Sequence, residues 1–510
     1  MLLLFSSCEN YLDVNEKQTN RPDFDALNPS QMLSGALNSY TSYQVGTLAS
    51  YGNRLAYVWG LNSGFTSTDP AYTYKYDSSS YTACFESAYL IGDNFQDILD
   101  KKESAPTYTT HYGVAKVMKV MCMDYVTALY GDAPYTEAFN NNIIAPKYED
   151  DKKIIPALFK ELDEARAYFA AAGAEPMGAE DCVFGGDKTK WIKFVNTVEL
   201  KILLRLSKTT DATLVALRTA RFAALNASQN FVTQDVTVNP GYNNGTLASR
   251  SPLFRLYGQN ESFSAATSAN AANAAGDFAG RLVNGTINDA NINSSGVVDP
   301  RRARMFTLIG GTVVGNVQGV FPLTAISKFA SFFHGRTGAS VDIANKNGGE
   351  RNAFLMQAAE SYFLQAEAMQ RGYLTGSAKA AFDAGVTASF NFYSTGFGTI
   401  VIATPLNPVT YLAAIDAKNG LGWTGSTDKI SAIMTQKYLA LAQWHGIEVY
   451  IDHMRTGYPV LPLPFGVTET KRPNRLIYPS SEYSSNSANT PIVSNADLFT
   501  VNAKTPYYLQ

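Results

Sequence analysis

Residues 109–134 read TTHYGVAKVMKVMCMDYVTALYGDAP, and this stretch decides the fold class of the chain. The apolar run from Val117 to Met123 lies inside a helical pattern that extends from Thr109 to Tyr130. Gly131 is typical of the residue that follows a helix end, and Pro134 cannot continue a helix. The stretch therefore predicts a long helix that ends at residue 130, with Cys122 as a small buried hydrophobic residue.

The same period recurs on both sides of this helix, so the predicted fold class is mostly α. Further helices are predicted over residues 30–43, 83–101, 153–172, 188–207, 211–225, 351–371, 377–393 and 428–454. Short loops between successive helices indicate stacked helical hairpins, although no strict 34-residue tetratricopeptide repeat occurs. Two stretches, 45–82 and 226–349, are rich in Gly, Ser and Asn and predict long irregular loops with a few short strands, such as 231–238 and 311–320.

Composition limits the function classes. A length of 510 residues fits roughly three domains or one large fold, and 45% hydrophobic residues provide a sizeable core. The net charge is only −3, with 17% charged residues, so no surplus of Lys and Arg is present to neutralise nucleic-acid phosphates. No run of 18 or more apolar residues occurs, so no transmembrane helix is predicted. Aromatic residues make up 12%, which favours stacking surfaces.

Motifs for common catalytic chemistry are absent from the sequence. There is no GxxxxGK[ST], GxSxG or HExxH motif, and only 4 histidines occur. His445, Glu448 and Asp452 have a spacing that would place three metal ligands on one helix face, but a solvated polar face explains the spacing equally simply. We therefore predict no catalytic residues, no metal site and no cofactor. A pair of carboxylates for glycoside hydrolysis stays open, because that chemistry has no sequence signature here.

The N-terminal segment Leu4-Phe5-Ser6-Ser7-Cys8 is typical of the end of a bacterial lipoprotein signal peptide, in which the cysteine is lipidated. Phe5 stands where such motifs usually carry Leu, and the apolar run is short and lacks a basic start. An N-terminus without function is the alternative interpretation. None of the four cysteines forms a CxxC pair, so neither a zinc site nor a redox centre is predicted.

Several motifs occur in a fixed order from residue 8 to residue 459. They are CENYLDVN (8–15), ALYGDAPY (128–135), KWIKFVNT (190–197), DPR (299–301), ESYFLQAEA (360–368), IMTQKY (433–438) and RTGYP (455–459). Together they resemble the SusD/RagB family of nutrient-binding outer-membrane lipoproteins, and within it the SusD-like group. Met454 departs from the family pattern, which has a second Arg before RTGYP. Physically the motifs predict structure: Trp191 and Phe194 belong to the core, and Glu367 either pairs with a basic group or caps another helix.

The resemblance implies a cell-surface binding lipoprotein without catalysis. It implies a signal-peptide remnant at 1–7 and a lipid-anchored tether at 8–29 with Cys8 as the lipidated residue. It further implies a single mostly α domain at 30–510, with tetratricopeptide-like helical hairpins and a loop-rich insertion around 226–349. It also implies localisation at the outer membrane and a partner, a SusC-like TonB-dependent transporter. The expected ligand is an oligosaccharide. A peptide ligand stays open, as does, more remotely, a glycan-degrading enzyme.

Candidate ligand-binding residues lie in the irregular stretches, where aromatic rings stand among Asn, Asp and Arg side chains. Trp59 and the glycine-flanked Trp423 are predicted in exposed loops. Tyr72, Tyr74 and Tyr76 alternate, so an extended segment would present all three on one face, either to a ligand or half-buried on the core. The remaining candidates, from the irregular middle of the chain, are Tyr257 and Arg336.

Overall fold

The computed structural model describes residues 26–140, 142–330, 332, 347–396 and 404–510. It confirms the mostly α fold class. The α-helices of this part are Pro29–Tyr43 (α1), Ala49–Leu55 (α2), Pro70–Thr73 (α3), Ala83–Leu99 (α4), Thr109–Tyr130 (α5), Asp151–Ala170 (α6), Lys188–Arg205 (α7), Ala212–Ser228 (α8), Pro252–Tyr257 (α9), Ser268–Ala272 (α10), Asp277–Asn284 (α11), Arg302–Met305 (α12), Ala358–Gln370 (α13), Ala378–Ser394 (α14), Pro408–Ile415 (α15), Lys429–Leu441 (α16), Gly446–Thr456 (α17) and Ser480–Ser485 (α18).

Short strands and tight helical turns complete the described part. The strands form three antiparallel pairs: Trp59–Leu61 (β1) with Asn273–Ala275 (β5), Ala133–Pro134 (β2) with Tyr148–Glu149 (β3), and Val236–Val238 (β4) with Ala353–Met356 (β6). A π-helical turn at Gln44–Leu48 joins α1 to α2. The 3₁₀ turns are Asp100–Lys102, Leu206–Lys208, Asn347–Glu350, Asn495–Phe499 and Tyr507–Leu509.

Helix α5 lies at the centre of the helical layers. Successive helices pack side by side as α4 with α5, α5 with α6, and α13 with α14, which are the predicted hairpins. Almost all of α5 is buried, including Cys122, because α4, α6 and α7 all pack against it. It ends at Tyr130 with Gly131 at positive φ, as the sequence predicts. Trp191 and Phe194 of α7 are likewise buried core residues.

Two predicted helices are wrong in part. The helix predicted over 351–371 begins only at Ala358, because the preceding residues form β6 and pair with β4. The single helix predicted over 428–454 is two helices, α16 and α17, with a break at residues 442–445. Gln443 takes a φ of 74° there, and its backbone N–H and C=O both bond to the side chain of Asn53 from α2. In both cases a segment that is remote in sequence determines the helix boundary: β4 fixes where the first helix begins, and Asn53 of α2 holds the break in the second.

The solvated polar face predicted for His445, Glu448 and Asp452 is also wrong, because these side chains lie in the core as members of ion pairs and hydrogen bonds. The Glu448 carboxylate lies 3.0 Å from Lys201 Nζ and 3.2 Å from Arg205 Nη2. Burial by itself would raise the pKa of Glu448, but the two cations outweigh burial and hold it below its ordinary value. Asp452 is likewise paired, with Lys437 and Arg455.

A second buried ion pair joins two of the sequence motifs. Arg455 donates two hydrogen bonds to the carboxylate of Glu367 and one of 2.7 Å to Asp452. Both Arg455 and Glu367 are buried, so the predicted pairing of Glu367 with a basic group is confirmed. The pair ties α13 to α17 in the interior of the fold.

Candidate functional site

A cleft of about 300 Å³ is formed where three segments from distant parts of the chain meet. The first runs from β1 through α3, the second is the turn at 319–321, and the third is the turn at 465–467. The second segment belongs to the loop-rich stretch 226–349 that the sequence predicts. The lining residues are Leu61, Thr66, Ser67, Tyr72, Thr73, Lys75, Gly319, Val320, Phe321, Phe465, Gly466 and Val467.

The turn at 319–321 is held against β1 by two amide side chains. Asn316 accepts a hydrogen bond of 3.0 Å from the Leu61 N–H and donates one of 3.0 Å to the Val320 carbonyl. Gln318 Nε2 donates to the Trp59 carbonyl at 2.8 Å. This close approach needs Gly60, because a Cβ at that position would lie 2.8 Å from the Asn316 Cβ.

The third segment docks on the second through backbone contact. The N–H of Phe465 donates to the Gln318 carbonyl at 2.8 Å. Gly319 has a φ of 83°, and a Cβ there would lie 2.3 Å from the Phe465 carbonyl oxygen. A glycine is therefore required at 319 both for its backbone conformation and for the contact. The docking leaves the Phe465 side chain pointing outward, and the residue is 71% exposed.

Helix α3 fixes the first wall, and it contradicts the predicted extended segment. The Asp69 carboxylate caps the helix by accepting from the Ala71 N–H at 2.8 Å, and Pro70 occupies the first turn. Asp69 also lies 3.4 Å from Arg54. The chain leaves α3 at Tyr74, which has a left-handed conformation with a φ of 55°. An Asp-Pro pair is a helix start signal, and it outweighs the alternation of the tyrosines.

The chemistry of the cleft is apolar with a few polar groups. Phe465 and Phe321, which is 45% exposed, supply aromatic surface. Thr66, Ser67 and Thr73 supply hydroxyls, and Lys75 supplies an exposed ammonium group. Burial raises the pKa of Tyr72 well above its ordinary value, so its hydroxyl stays neutral. Rings together with hydroxyl donors and acceptors match the alternating C–H and O–H surfaces of a sugar.

Of the predicted ligand residues that the structure describes, only Tyr72 lines the cleft, and it is 3% exposed. The structure places Tyr74 and Tyr76 in the core, where both rings pack on Phe499. Arg472 donates a hydrogen bond of 3.3 Å to the Tyr74 hydroxyl. Tyr74 and Tyr76 therefore belong to the core behind the cleft wall.

Trp59 and Tyr257 also lie in the core. Trp59 is fully buried in β1, so its predicted exposed loop is wrong. Its ring centroid lies 5.3 Å from that of Tyr257 and 4.9 Å from that of Phe329. Successive residues of a strand point to opposite sides, so while Gly60 faces the 316–320 turn, Trp59 faces inward.

Trp423 does not line the cleft. Trp423 is half-buried, packs on Phe382 with ring centroids 5.4 Å apart, and has the Lys429 ammonium 5.9 Å from its ring. The expected exposure of Trp423 is thus only partial. Arg336 and Cys8 lie outside the described residues.

Sequence reasoning missed the two exposed phenylalanines of the cleft. Each lies next to a proline in an irregular segment, in Phe321-Pro322 and in Pro464-Phe465-Gly466. An aromatic residue inside a turn of this kind has no amphipathic period that would bury it. A phenylalanine beside a proline in an irregular segment is therefore a local indication of an exposed ring, although it does not show that the two turns are in contact.

A family profile described as "starch-binding associating with outer membrane", the SusD-like profile, matches residues 20–479. No curated protein is significantly similar to the chain. Solved structures are similar along nearly the whole length. A SusD homologue from Bacteroides fragilis is 21% identical with a TM-score of 0.70, covering 95% of this chain and 100% of that one.

Two further structures agree. A chitin-binding SusD homologue from Flavobacterium johnsoniae is 19% identical with a TM-score of 0.69, covering 93% of this chain and 98% of that one. A SusD-like protein from Bacteroides thetaiotaomicron is 20% identical with a TM-score of 0.65, covering 94% and 97%. Within the described ranges, every helix is too short or too polar to cross a bilayer.

Proposed function

The chain belongs to the SusD-like family, and from that membership we propose that it is a binding protein that captures an oligosaccharide at the cell surface. The ligand site is the cleft between β1, the 319–321 turn and the 465–467 turn. The observation that carries the proposal is the pair of exposed rings, Phe321 and Phe465, at 45% and 71% exposure in one cleft. Exposed aromatic rings beside hydroxyl groups are the features that a sugar-binding surface needs.

Capture without turnover is the activity that this lining supports. Among the described residues, the cleft wall contains aromatic, aliphatic, hydroxyl and ammonium groups and no carboxyl or imidazole group. Hydrolysis of a glycosidic bond ordinarily uses two carboxyl groups on either side of the bond. We therefore propose a binding protein rather than a glycan hydrolase.

The partner and the location follow from the family as proposals. We propose that Cys8 carries the lipid anchor, that residues 8–29 tether a single domain at 30–510 to the outer membrane, and that the domain delivers its ligand to a SusC-like TonB-dependent transporter. A ligand that contacts both proteins would favour the closed complex, because only a differential contact shifts such an equilibrium. The low net charge of −3 indicates an interface that depends weakly on salt.

The binding proposal is tested with the protein from Glu9 onward and three ligand sets: starch-derived oligosaccharides, chitin-derived oligosaccharides and oligopeptides. Calorimetry should give saturable binding of at least one glycan with no release of shorter sugars over hours. Binding of oligopeptides alone would replace the glycan by a peptide ligand. Release of shorter sugars would refute the assignment as a binding protein.

The anchor and the partner are tested in the native membrane. Cys8→Ala should move the protein from the membrane fraction to the soluble fraction, with Cys182→Ala as the control substitution. Recovery of the wild-type protein from solubilised membranes should bring a barrel protein of transporter size with it at low and high salt. Recovery of the wild-type protein alone under both conditions would contradict the transporter proposal.

A further inference from the structure

A second cavity, of about 410 Å³, shares no lining residue with the cleft between β1 and the turns at 319–321 and 465–467. It lies between the end of α17, the 3₁₀ turn Leu206–Lys208, the segment 471–474 and the 3₁₀ turn Tyr507–Leu509. Its lining residues are Lys208, Thr210, Met454, Arg455, Lys471, Arg472, Asn474, Phe499, Val501, Tyr508, Leu509 and Gln510. Four of these carry a positive charge, and the lining contains neither Asp nor Glu.

Three of the four cations have no acidic partner. Among the described residues, no carboxylate lies within 4.0 Å of Lys208, Lys471 or Arg472. Arg472 is only 3% exposed, and it donates hydrogen bonds to two neutral acceptors, the Pro462 carbonyl and the Tyr74 hydroxyl. Arg455, by contrast, is neutralised by Glu367 and Asp452. The cavity therefore has an excess of positive charge.

The pKa of Lys208, at the rim of the cavity, is consistent with this excess of positive charge. Partial burial and the positive charges of Arg455 and Arg371 together lower the pKa of Lys208. An anion in the cavity would relieve the repulsion among these cations.

Four residues of the lining carry buried polar atoms without a hydrogen-bond partner. These atoms are Nε of Arg455, Nε of Arg472, the hydroxyl of Tyr508 and Oδ1 of Asn474. All four residues are at least nine-tenths buried, with exposures of 1%, 3%, 0% and 6%. Buried polar groups are nearly always hydrogen-bonded, and each one left unsatisfied is costly. Three of these four atoms are hydrogen-bond donors, so the group that would satisfy them is an acceptor.

We propose that this cavity is a binding site for a small ligand that carries an oxyanion: a carboxylate, sulfate or phosphate group. The oxyanion accepts hydrogen bonds from the guanidinium Nε–H groups and the Tyr508 hydroxyl, while Lys208 and Lys471 contribute charge at the rim. The side chains of Met454, Phe499 and Leu509 offer an apolar wall to the rest of the ligand. A volume of about 410 Å³ is within the range of small-molecule sites.

The test uses the protein from Glu9 onward at low ionic strength, titrated with inorganic phosphate, sulfate and glucuronate. Saturable binding of at least one probe below about 10 mM is expected. Lys208→Met combined with Lys471→Met should weaken that binding about fivefold or more, because two exposed charge interactions are lost. Both lysines are exposed, so the fold should persist. Glucuronate binding without phosphate binding would identify an acidic sugar as the ligand class, and phosphate or sulfate binding would identify an inorganic anion or an ester.

Two further variants distinguish binding of the anion in the cavity from a general effect of the protein's positive charge. Lys153→Met with Lys160→Met removes two exposed charges that line neither cavity and should leave anion affinity unchanged. Tyr508→Phe removes only a hydroxyl and should weaken binding about threefold to fivefold while the melting temperature holds. No saturable binding up to about 10 mM would overturn the proposal. So would equal losses in the two lysine pairs, or unchanged affinity in Tyr508→Phe.

Discussion

Phe465 offers the sharpest test of the cleft, because its ring is the most exposed aromatic surface in the lining. We expect Phe465→Ala to weaken oligosaccharide binding by about 20-fold and to leave the fold unchanged. The fold should persist because the backbone contact of residue 465 with Gln318, rather than the ring, holds the turn in place.

The magnitude follows from exposed area. A phenylalanine ring offers about 200 Å², so 71% exposure leaves about 140 Å², of which a sugar covers one face, or about 70 Å². At about 25 cal/mol per Å², this contact stabilises the complex by about 1.8 kcal/mol, which corresponds to about 20-fold in Kd. The same calculation for Phe321 at 45% exposure gives about 1.1 kcal/mol, or about sevenfold.

The assay is calorimetry with the oligosaccharide that binds most tightly to the wild-type protein. Ile492→Ala is the matched control, because Ile492 is 80% exposed and does not line the cleft. Circular dichroism and the melting temperature of each variant check that the fold is intact. The reasoning is refuted if Phe465→Ala binds as tightly as Ile492→Ala, because the Phe465 ring then contributes nothing to binding the sugar.

Three further predictions concern stability. Trp59→Ala should lower the free energy of unfolding by about 3–5 kcal/mol, since the ring is fully buried; a loss under 1 kcal/mol in a denaturant titration would contradict its core position. Glu367→Gln should cost about 3 kcal/mol by removing one of the two carboxylates that neutralise the buried Arg455, and an unchanged midpoint would argue against that pairing. Burial raises the pKa of Asp151 from 3.8 to about 7, so the folded state holds a proton that the unfolded chain releases between these values. Stability should therefore fall by up to about 4 kcal/mol as pH rises from 4 to 7, and Asp151→Asn should remove this part of the slope; equal slopes in both proteins would disprove it.

The sequence by itself determined the helices and much of the core. Helix α5 and its end at Gly131 follow from local spacing and a local cap, and the burial of Trp191 and Phe194 follows from their positions on one helix face. The pairing of Glu367 with a base follows from the cost of an unpaired charge in an apolar helix. The helix end and the core positions depend on residues within a few helical turns of each other. The pairing of Glu367 depends on a rule that holds whichever basic residue is the partner.

Only the tertiary structure decided which aromatic residues meet solvent. Trp59 and Phe465 both stand in glycine-containing irregular segments, yet the first is fully buried and the second is 71% exposed. The difference arises because β1 pairs with β5 and contacts the 316–320 turn, whereas Phe465 docks on that turn through its backbone alone. The cleft is built from segments that are hundreds of residues apart in sequence, and exposure depends on which of them pack together. Local periodicity carries no information about that packing, so the site could not be read from the sequence.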